Sequence, residues 1–249
     1  MHITDRSSVV DFVLVHLPPP PAPVLEVGAG RGDLARYLVA RGYGVTAIDP
    51  EPPEGADVEP VAIADFDSPE SFAAVITSRV IHHVVGLDVA LDRIASLLDP
   101  GGVIVVHEFA WDRVVGPTAR WLFDALRGQR STDRPSTWAS FEDWYAAWVD
   151  EHAGLHGFDR LVTGLDARFN RQWSGWVPYL ASEYVDPGLE PSERALIEGG
   201  VIQASGFRYV GRRRLRRSSK RPPTILAQVS TMCLETGRSC PSTPRPSTP

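Results

Sequence analysis

The fold this sequence predicts is α/β: a mostly parallel, doubly wound sheet of seven strands carrying a helical, tryptophan-rich insertion after strand five. Three observations predict it. Short β-branched runs alternate with helix-period stretches from residue 23 to about 110. A glycine-rich turn joins the first of those runs directly to the first helix that follows it. The alternation breaks at Trp111 and resumes near Ser192. Parallel strands joined through helices demand right-handed crossovers, which fixes the architecture once the alternation is accepted.

The elements follow in order. Ser7 to Leu17 sets Val9, Val10, Phe12, Val13, Leu14 and Leu17 on a broad helical face, and the run Pro18 to Pro21 stops it. Next come VLEVG, a helix over Asp33 to Arg41, GVTAID, PVAIAD, AAVITS, a helix over Leu87 to Leu98, and GVIVVHE. Between Trp111 and about Tyr184 lie all seven tryptophans, Trp111, Trp121, Trp138, Trp144, Trp148, Trp173 and Trp176. Trp144 and Trp148 are four apart and Trp173 and Trp176 three apart, so each pair shares a face if those stretches are helical. A helix over Ser192 to Ser205 and the strands FRYVGRRRL and TILAQVS then complete the sheet. The resulting division is an N-terminal helix and linker (1–22), a core (23–110), a helical cap (111–191), a completing segment (192–232) and a polar tail (233–249) expected to be disordered.

Composition bounds the function. With 249 residues, 43% hydrophobic and 22% charged, the chain holds enough apolar material for one sizeable α/β domain. The stretch from Val9 to Leu17 is interrupted by Asp11 and His16 and is not a signal peptide by pattern; no run approaches the roughly 20 apolar residues of a membrane helix. The formal charge of −6 argues against a protein that works by coating nucleic acid. Cys233 and Cys240, both in the tail, read as reduced thiols, which together with the missing leader pattern predicts a cytoplasmic location.

The segment VLEVGAGRGDLARYL carries the chemistry. Gly28, Gly30 and Gly32 stand between a buried strand and a helix, where a tight turn and the unpaired amides of a helix start let a ligand approach the backbone. A dinucleotide fingerprint places its third glycine at position 33, which here is Asp. The third glycine comes one residue early, and Glu26 lies two residues before the first.

That pattern, E-x-G-x-G-x-G, resembles the first motif of the class I, Rossmann-like S-adenosylmethionine-dependent methyltransferases. Further matches run in order: Asp49 ends GVTAIDP, Asp65 ends PVAIAD, ITSRVIHHV follows strand four, and LLDPGGVIVVHE leads into strand five. The resemblance implies S-adenosylmethionine as cofactor, with the loop including Ala29 around its methionine part and Glu26 ordering that loop. It further implies Asp49 on the ribose, Asp65 on the adenine, and Pro50, Phe66 and Ser78 beside them. One departure is that Phe72, Ala73, Ala74 and Val75 open strand four without the acid common in that family.

Methyl transfer from a sulfonium is an in-line displacement, so the protein must align a nucleophile, exclude water and, for a hydroxyl or protonated amine, supply a base. Polar residues at the carboxyl ends of strands four and five are the candidates: Arg79, His82, His83, His107 and Glu108, with His83 and Glu108 favoured as catalytic groups. Neighbouring His82 and His83 point apart, so a metal site is not expected. Acceptor contacts are expected from His82, Trp111, Trp173, Trp176 and Tyr179, while Trp121, Trp144 and Trp148 are assigned to the cap's own core. Seven Arg or Lys between 211 and 221 read as the water-facing end of a hairpin guarding a sheet edge. The expected function is methyl transfer to an oxygen or nitrogen of a small molecule. The alternatives are an RNA or protein methyltransferase docking through those arginines, a nicotinamide-dependent oxidoreductase, and a binding protein without turnover.

Overall fold

A computed structural model describes residues 9–128 and 138–214, all within one compact unit. The strand TILAQVS, the end of the basic run, both cysteines and the tail lie outside the described residues.

Helix α1 (Val9–His16) turns Phe12 and Val13 inward. Strand β1 (Pro23–Val27) leads through the glycine turn into α2 (Asp33–Val39), and β2 (Gly44–Asp49) returns parallel to β1. Strand β3 (Glu59–Pro60) is far shorter than PVAIAD suggested. The chain turns at once, with the amides of Asp65 and Phe66 both donating to the Ala62 carbonyl, so the stretch expected to extend the sheet edge is a tight turn. Strand β4 (Phe72–Ser78), helix α3 (Leu87–Leu97) and β5 (Leu98–Phe109) follow. On α3 the buried residues are Leu87, Ala90, Leu91, Ile94 and Leu97, the three-and-four spacing of a single apolar face.

The cap contributes α4 (Pro117–Gly128), α5 (Phe141–His152) and α6 (Phe158–Arg168), and then departs from the helical expectation. Phe169–Val177 is strand β6, followed by α7 (Leu180–Tyr184), α8 (Glu190–Glu198) and β7 (Gly206–Arg213). The seven-stranded order is β3-β2-β1-β4-β5-β7-β6, parallel from β3 to β5, with β7 antiparallel to both β5 and β6. The sheet's outer strand therefore comes from inside the presumed insertion. Trp173 and Trp176, an odd number of residues apart on a strand, face opposite sides. Trp173 packs on Phe12 and His16 of α1, and Trp176 on Phe158 and Phe207.

Two apolar layers flank the sheet. One gathers Leu25, Val75, Ile104 and Phe207 beneath α3 and α6, and the other gathers Val24, Ile76, Val105 and Val210 beneath α1 and α2. A third core belongs to the cap, where Leu122, Phe123, Trp144 and Trp148 close around Phe109 at the end of β5. Trp144 and Trp148 thus build the cap's interior, and Trp121 packs at its margin.

Candidate active site

The glycine turn is built from backbone. The amides of Gly28 and Ala29 both donate to the Ile48 carbonyl, at 2.8 and 3.0 Å, and the Gly32 amide donates to Ala29. Gly28, Gly30 and Gly32 all adopt positive φ, at 70°, 53° and 72°, a region costly for any residue with a Cβ. A Cβ on Gly28 would lie 2.1 Å from Val80 Cγ2, whereas one on Gly30 would meet nothing within 4 Å. The first glycine is thus required by a neighbour inside the protein, and the second leaves its peptide face open to a ligand.

Asp49 closes this turn. Its Oδ2 accepts the Gly30 amide at 3.0 Å and its Oδ1 accepts the Glu51 amide at 2.9 Å. Glu26 lies beneath, 6% exposed, with one oxygen held by the Ala35 amide and Oε2 without any partner. Burial pushes its carboxyl up to about 7, and Asp33 adds to the rise. A buried carboxylate oxygen lacking a donor is costly, so this atom asks for a positive or hydrogen-bonding ligand group.

The other expected cofactor residues divide. Ala29, Pro50 and Ser78 sit at the carboxyl ends of β1, β2 and β4. Asp65 is exposed beyond the turn that replaces the third strand. Phe66 is in the core, 4% exposed and near Phe72, and is a packing residue rather than a ring neighbour for a ligand.

At the ends of β4 and β5 the structure sorts the polar candidates. Arg79, at φ 62°, donates its amide to the His107 carbonyl at 2.8 Å and pairs its guanidinium with Glu183 of α7. His107 is buried against Arg208, whose Nε lies 3.4 Å from its Nδ1; burial, with the charges of Arg208 and Arg79, presses its basicity down to about 3. Arg208 is itself buried and over the Phe12 ring. Glu108 has no exposure, and its oxygens accept from the amides of Val80 and Ile81 and from His82. It is enclosed, and the expectation that it acts as a base on the acceptor is corrected. His82, 4% exposed, is likewise spent on Glu108 and is not an acceptor contact.

His83 differs. Its side chain is exposed, its ring lies 4.0 Å from that of His82, and its basicity is lowered by partial burial and by His82, with Glu108 opposing. Tyr179 stacks on Phe109 at 4.6 Å and 5°, and Trp111 donates Nε1 to the Leu155 carbonyl at 3.2 Å. Both stand at the end of β5, whereas Trp173, on the α1 face, does not. Trp176 is occupied by the Arg113 guanidinium, 3.9 Å above its ring. Residues that sequence reasoning passed over are Val80, which walls the glycine turn, and Glu193, which holds Tyr179 by its amide at 3.0 Å. Val80 is an aliphatic residue without a motif, and Glu193 lies more than a dozen residues from what it holds.

Of the basic run, Arg212 and Arg214 are exposed, as expected, and Arg213 is half-buried, while residues 215–221 lie outside the described residues. Arg212, Arg213 and Arg214 donate to the carbonyls of Gly101, Leu98, Phe169 and Asp166, and β7 lies between two strands rather than at an edge. An open groove lined by Arg36, Val39, Thr46, Asp57 and Glu59 lies along α2 and β2. Among the described residues, no helix is long and apolar enough to cross a membrane.

A family model described as a methyltransferase domain matches residues 4–180. The chain belongs to the methyltransferase domain family. It is 29% identical over 161 residues to the ubiquinone biosynthesis O-methyltransferase of Rhodopseudomonas palustris, covering 56% of this chain and 58% of that one. It is 30% identical over 169 residues to the protein of the same name from Xylella fastidiosa, covering 59% and 66%. The chain thus spans less than two thirds of these relatives' length. Among solved structures it is similar to Burkholderia thailandensis 1,6-didemethyltoxoflavin-N1-methyltransferase, with a TM-score of 0.50, 21% identity and coverage of 82% of this chain and 76% of that one. That structure holds S-adenosylhomocysteine. In this methyltransferase domain the residues present fit such a ligand: the open face of Gly30, the carboxylate of Asp49 and the donor-seeking oxygen of Glu26 converge on one turn.

Proposed function

We propose that the protein transfers the methyl group of S-adenosylmethionine to an oxygen or nitrogen nucleophile of a small molecule, with His83 as the base. The turn from Gly28 to Gly32 would hold the methionine part, with Glu26 Oε2 as partner for its amino group, and Asp49 would take the ribose hydroxyls. When bound, the cofactor supplies an electrophilic methyl on a sulfonium. Everything else falls to the chain: the acceptor must lie beside the loop that leaves β4, in line with the donor, with water displaced by Tyr179, Trp111 and the cap. His83 takes the proton of the acceptor hydroxyl or amine as the new bond to carbon forms.

The observation that carries this reading is the exposure of His83 at the end of β4 with its basicity lowered, which keeps the ring neutral and able to accept a proton at neutral pH. The names of two similar proteins, a ubiquinone biosynthesis O-methyltransferase and a 1,6-didemethyltoxoflavin-N1-methyltransferase, support an oxygen or nitrogen acceptor on a small molecule. The formal charge of −6 disfavours a protein that works mainly by coating nucleic acid. The test is release of S-adenosylhomocysteine over a panel of small phenols, catechols and amines. One or more should turn over, and His83→Gln should lower kcat about a hundredfold or more at unchanged cofactor affinity. The acid limb of kcat should lie below pH 6.5, since lowered basicity keeps His83 neutral below its ordinary midpoint. Wild-type turnover in His83→Gln ends the base assignment, and absence of turnover with every acceptor ends the reading as a whole.

A further inference from the structure

Glu108 is a buried carboxylate on β5 that serves the loop leaving its neighbour β4. The sheet ladder pairs Ser78 with His107, and the Arg79 amide makes the last rung to the His107 carbonyl. Beyond it the chain turns out of the sheet through the positive φ of Arg79, and the next two amides have no strand to meet. Glu108 Oε1 accepts both, from Val80 and Ile81, each at 2.8 Å. Its Oε2 takes the Nδ1 proton of His82 at 2.5 Å. One side chain therefore holds three consecutive residues of a loop that has no regular structure of its own.

What that loop carries makes the arrangement consequential. Val80 sets its methyl groups where a side chain on Gly28 would stand, so it forms the wall of the glycine turn. His83 lies against His82, ring to ring at 4.0 Å. The groups facing His82 are Glu108 and, edge-on at 6.0 Å, Phe109; those facing His83 are His82, Glu108 and His152 of α5. With Nδ1 of His82 committed to a carboxylate, that ring has one tautomer and one orientation, and its neighbour packs against a fixed plate.

We infer that Glu108 is a positioning residue for methyl transfer: through His82 it fixes the place and charge environment of His83, and through Val80 it fixes the wall of the donor turn. It touches neither donor nor acceptor. The His83 arm rests on the base assignment proposed above; the Val80 arm does not. The two halves of the site are thereby tied to a single carboxylate, so the geometry between nucleophile and methyl is set before either ligand arrives.

The test uses Glu108→Gln and His82→Gln in the full chain, with three readouts: thermal midpoint, S-adenosylmethionine affinity by calorimetry, and the NMR titration of the His83 ring. Glu108→Gln keeps an oxygen for the two amides, removes the negative charge and presents an amide to His82 Nδ1. The His83 midpoint should move down by several tenths of a pH unit, because a charge that favours its protonation is gone. In His82→Gln it should move up, because a group that disfavours protonation is gone. Both variants should lower kcat tenfold or more while cofactor affinity changes less than threefold, and Glu108→Ala, which also frees Val80, should weaken cofactor binding as well. A His83 midpoint that stays put in both glutamine variants, or equal cofactor affinity in Glu108→Ala and wild type, overturns the inference. If Glu108→Gln fails to fold, His82→Gln alone decides the His83 arm. If His83→Gln remains fully active, the base assignment falls while the titrations and the cofactor measurement still decide what Glu108 holds.

Discussion

Asp49 Oδ2 accepts the amide of Gly30 at 3.0 Å across 19 residues of sequence, joining the end of β2 to the tip of the glycine turn. The carboxylate we propose for the ribose is thus the same one that holds the turn in shape. Asp49→Ala should weaken S-adenosylmethionine binding at least tenfold, about 1.4 kcal/mol, measured by calorimetry. Asp49→Asn, which retains an acceptor, should fall between the two. Unchanged affinity in the alanine variant removes Asp49 from the site.

Glu26 gives a pH signature. Its folded value, about 7, lies above its ordinary 4.5, so the folded chain without ligand holds this proton more tightly than the unfolded chain does. Stability is therefore fully favoured below pH 4.5 and is lost as pH rises toward 7, by about 3 kcal/mol as an upper bound. Glu26→Gln should raise the thermal midpoint at pH 8 in the absence of cofactor. Cofactor affinity of the natural chain should rise between pH 6 and 7.5 as the carboxylate ionises, and the glutamine variant should lose that slope. A variant that melts lower at pH 8 contradicts the burial argument.

Gly28→Ala combines a positive φ of 70° with a methyl placed 2.1 Å from Val80 Cγ2. Strain and overlap together should cost about 1–3 kcal/mol and displace the turn, with cofactor binding reduced more than stability. Adding Val80→Ala should relieve the overlap and recover part of the loss while the backbone strain persists. Full recovery in the double variant, read by melting and calorimetry, shows the overlap to be the whole effect.

Glu193 is wholly buried on α8 and accepts three amides at the start of α7, from Tyr179 at 3.0 Å, Leu180 at 3.1 Å and Ala181 at 2.8 Å. Glu193→Gln turns a donor toward at least one of those amides. The midpoint should fall by roughly 2–10 °C, corresponding to about 1–3 kcal/mol for a chain of this size. A melt within one degree of wild type shows that the start of α7 is held by its packing instead.

The core of the fold was legible because β1, β2, β4 and β5 are runs rich in apolar and β-branched residues and α3 has clear apolar spacing, and because Glu26, the three glycines and Asp49 lie within short stretches of chain. What escaped has physical causes. PVAIAD has strand composition, but hydrogen bonds to Ala62 turn it aside after two residues. Trp173 and Trp176 fit a helix by spacing, yet antiparallel pairing with Val210 and Phe207, just past a bulge at Arg171 to Trp173, makes their stretch a strand. Glu108 looked like a reactive acid because its sequence position at a strand end is where such acids stand. Only the three-dimensional path of the loop leaving β4 reveals that both its oxygens are consumed.

The nine residues of β6 interrupt the cap, so the cap is not a detachable module. Exchanging Trp111 to Glu198 wholesale for the corresponding piece of a relative would tear the border off the sheet along with the cap. Changes to the cap have to be written in two separate stretches, the helices from Pro117 to Arg168 and the segment of α7 and α8 from Tyr179 to Ser205, with Phe169 to Val177 left as a fixed hem between them.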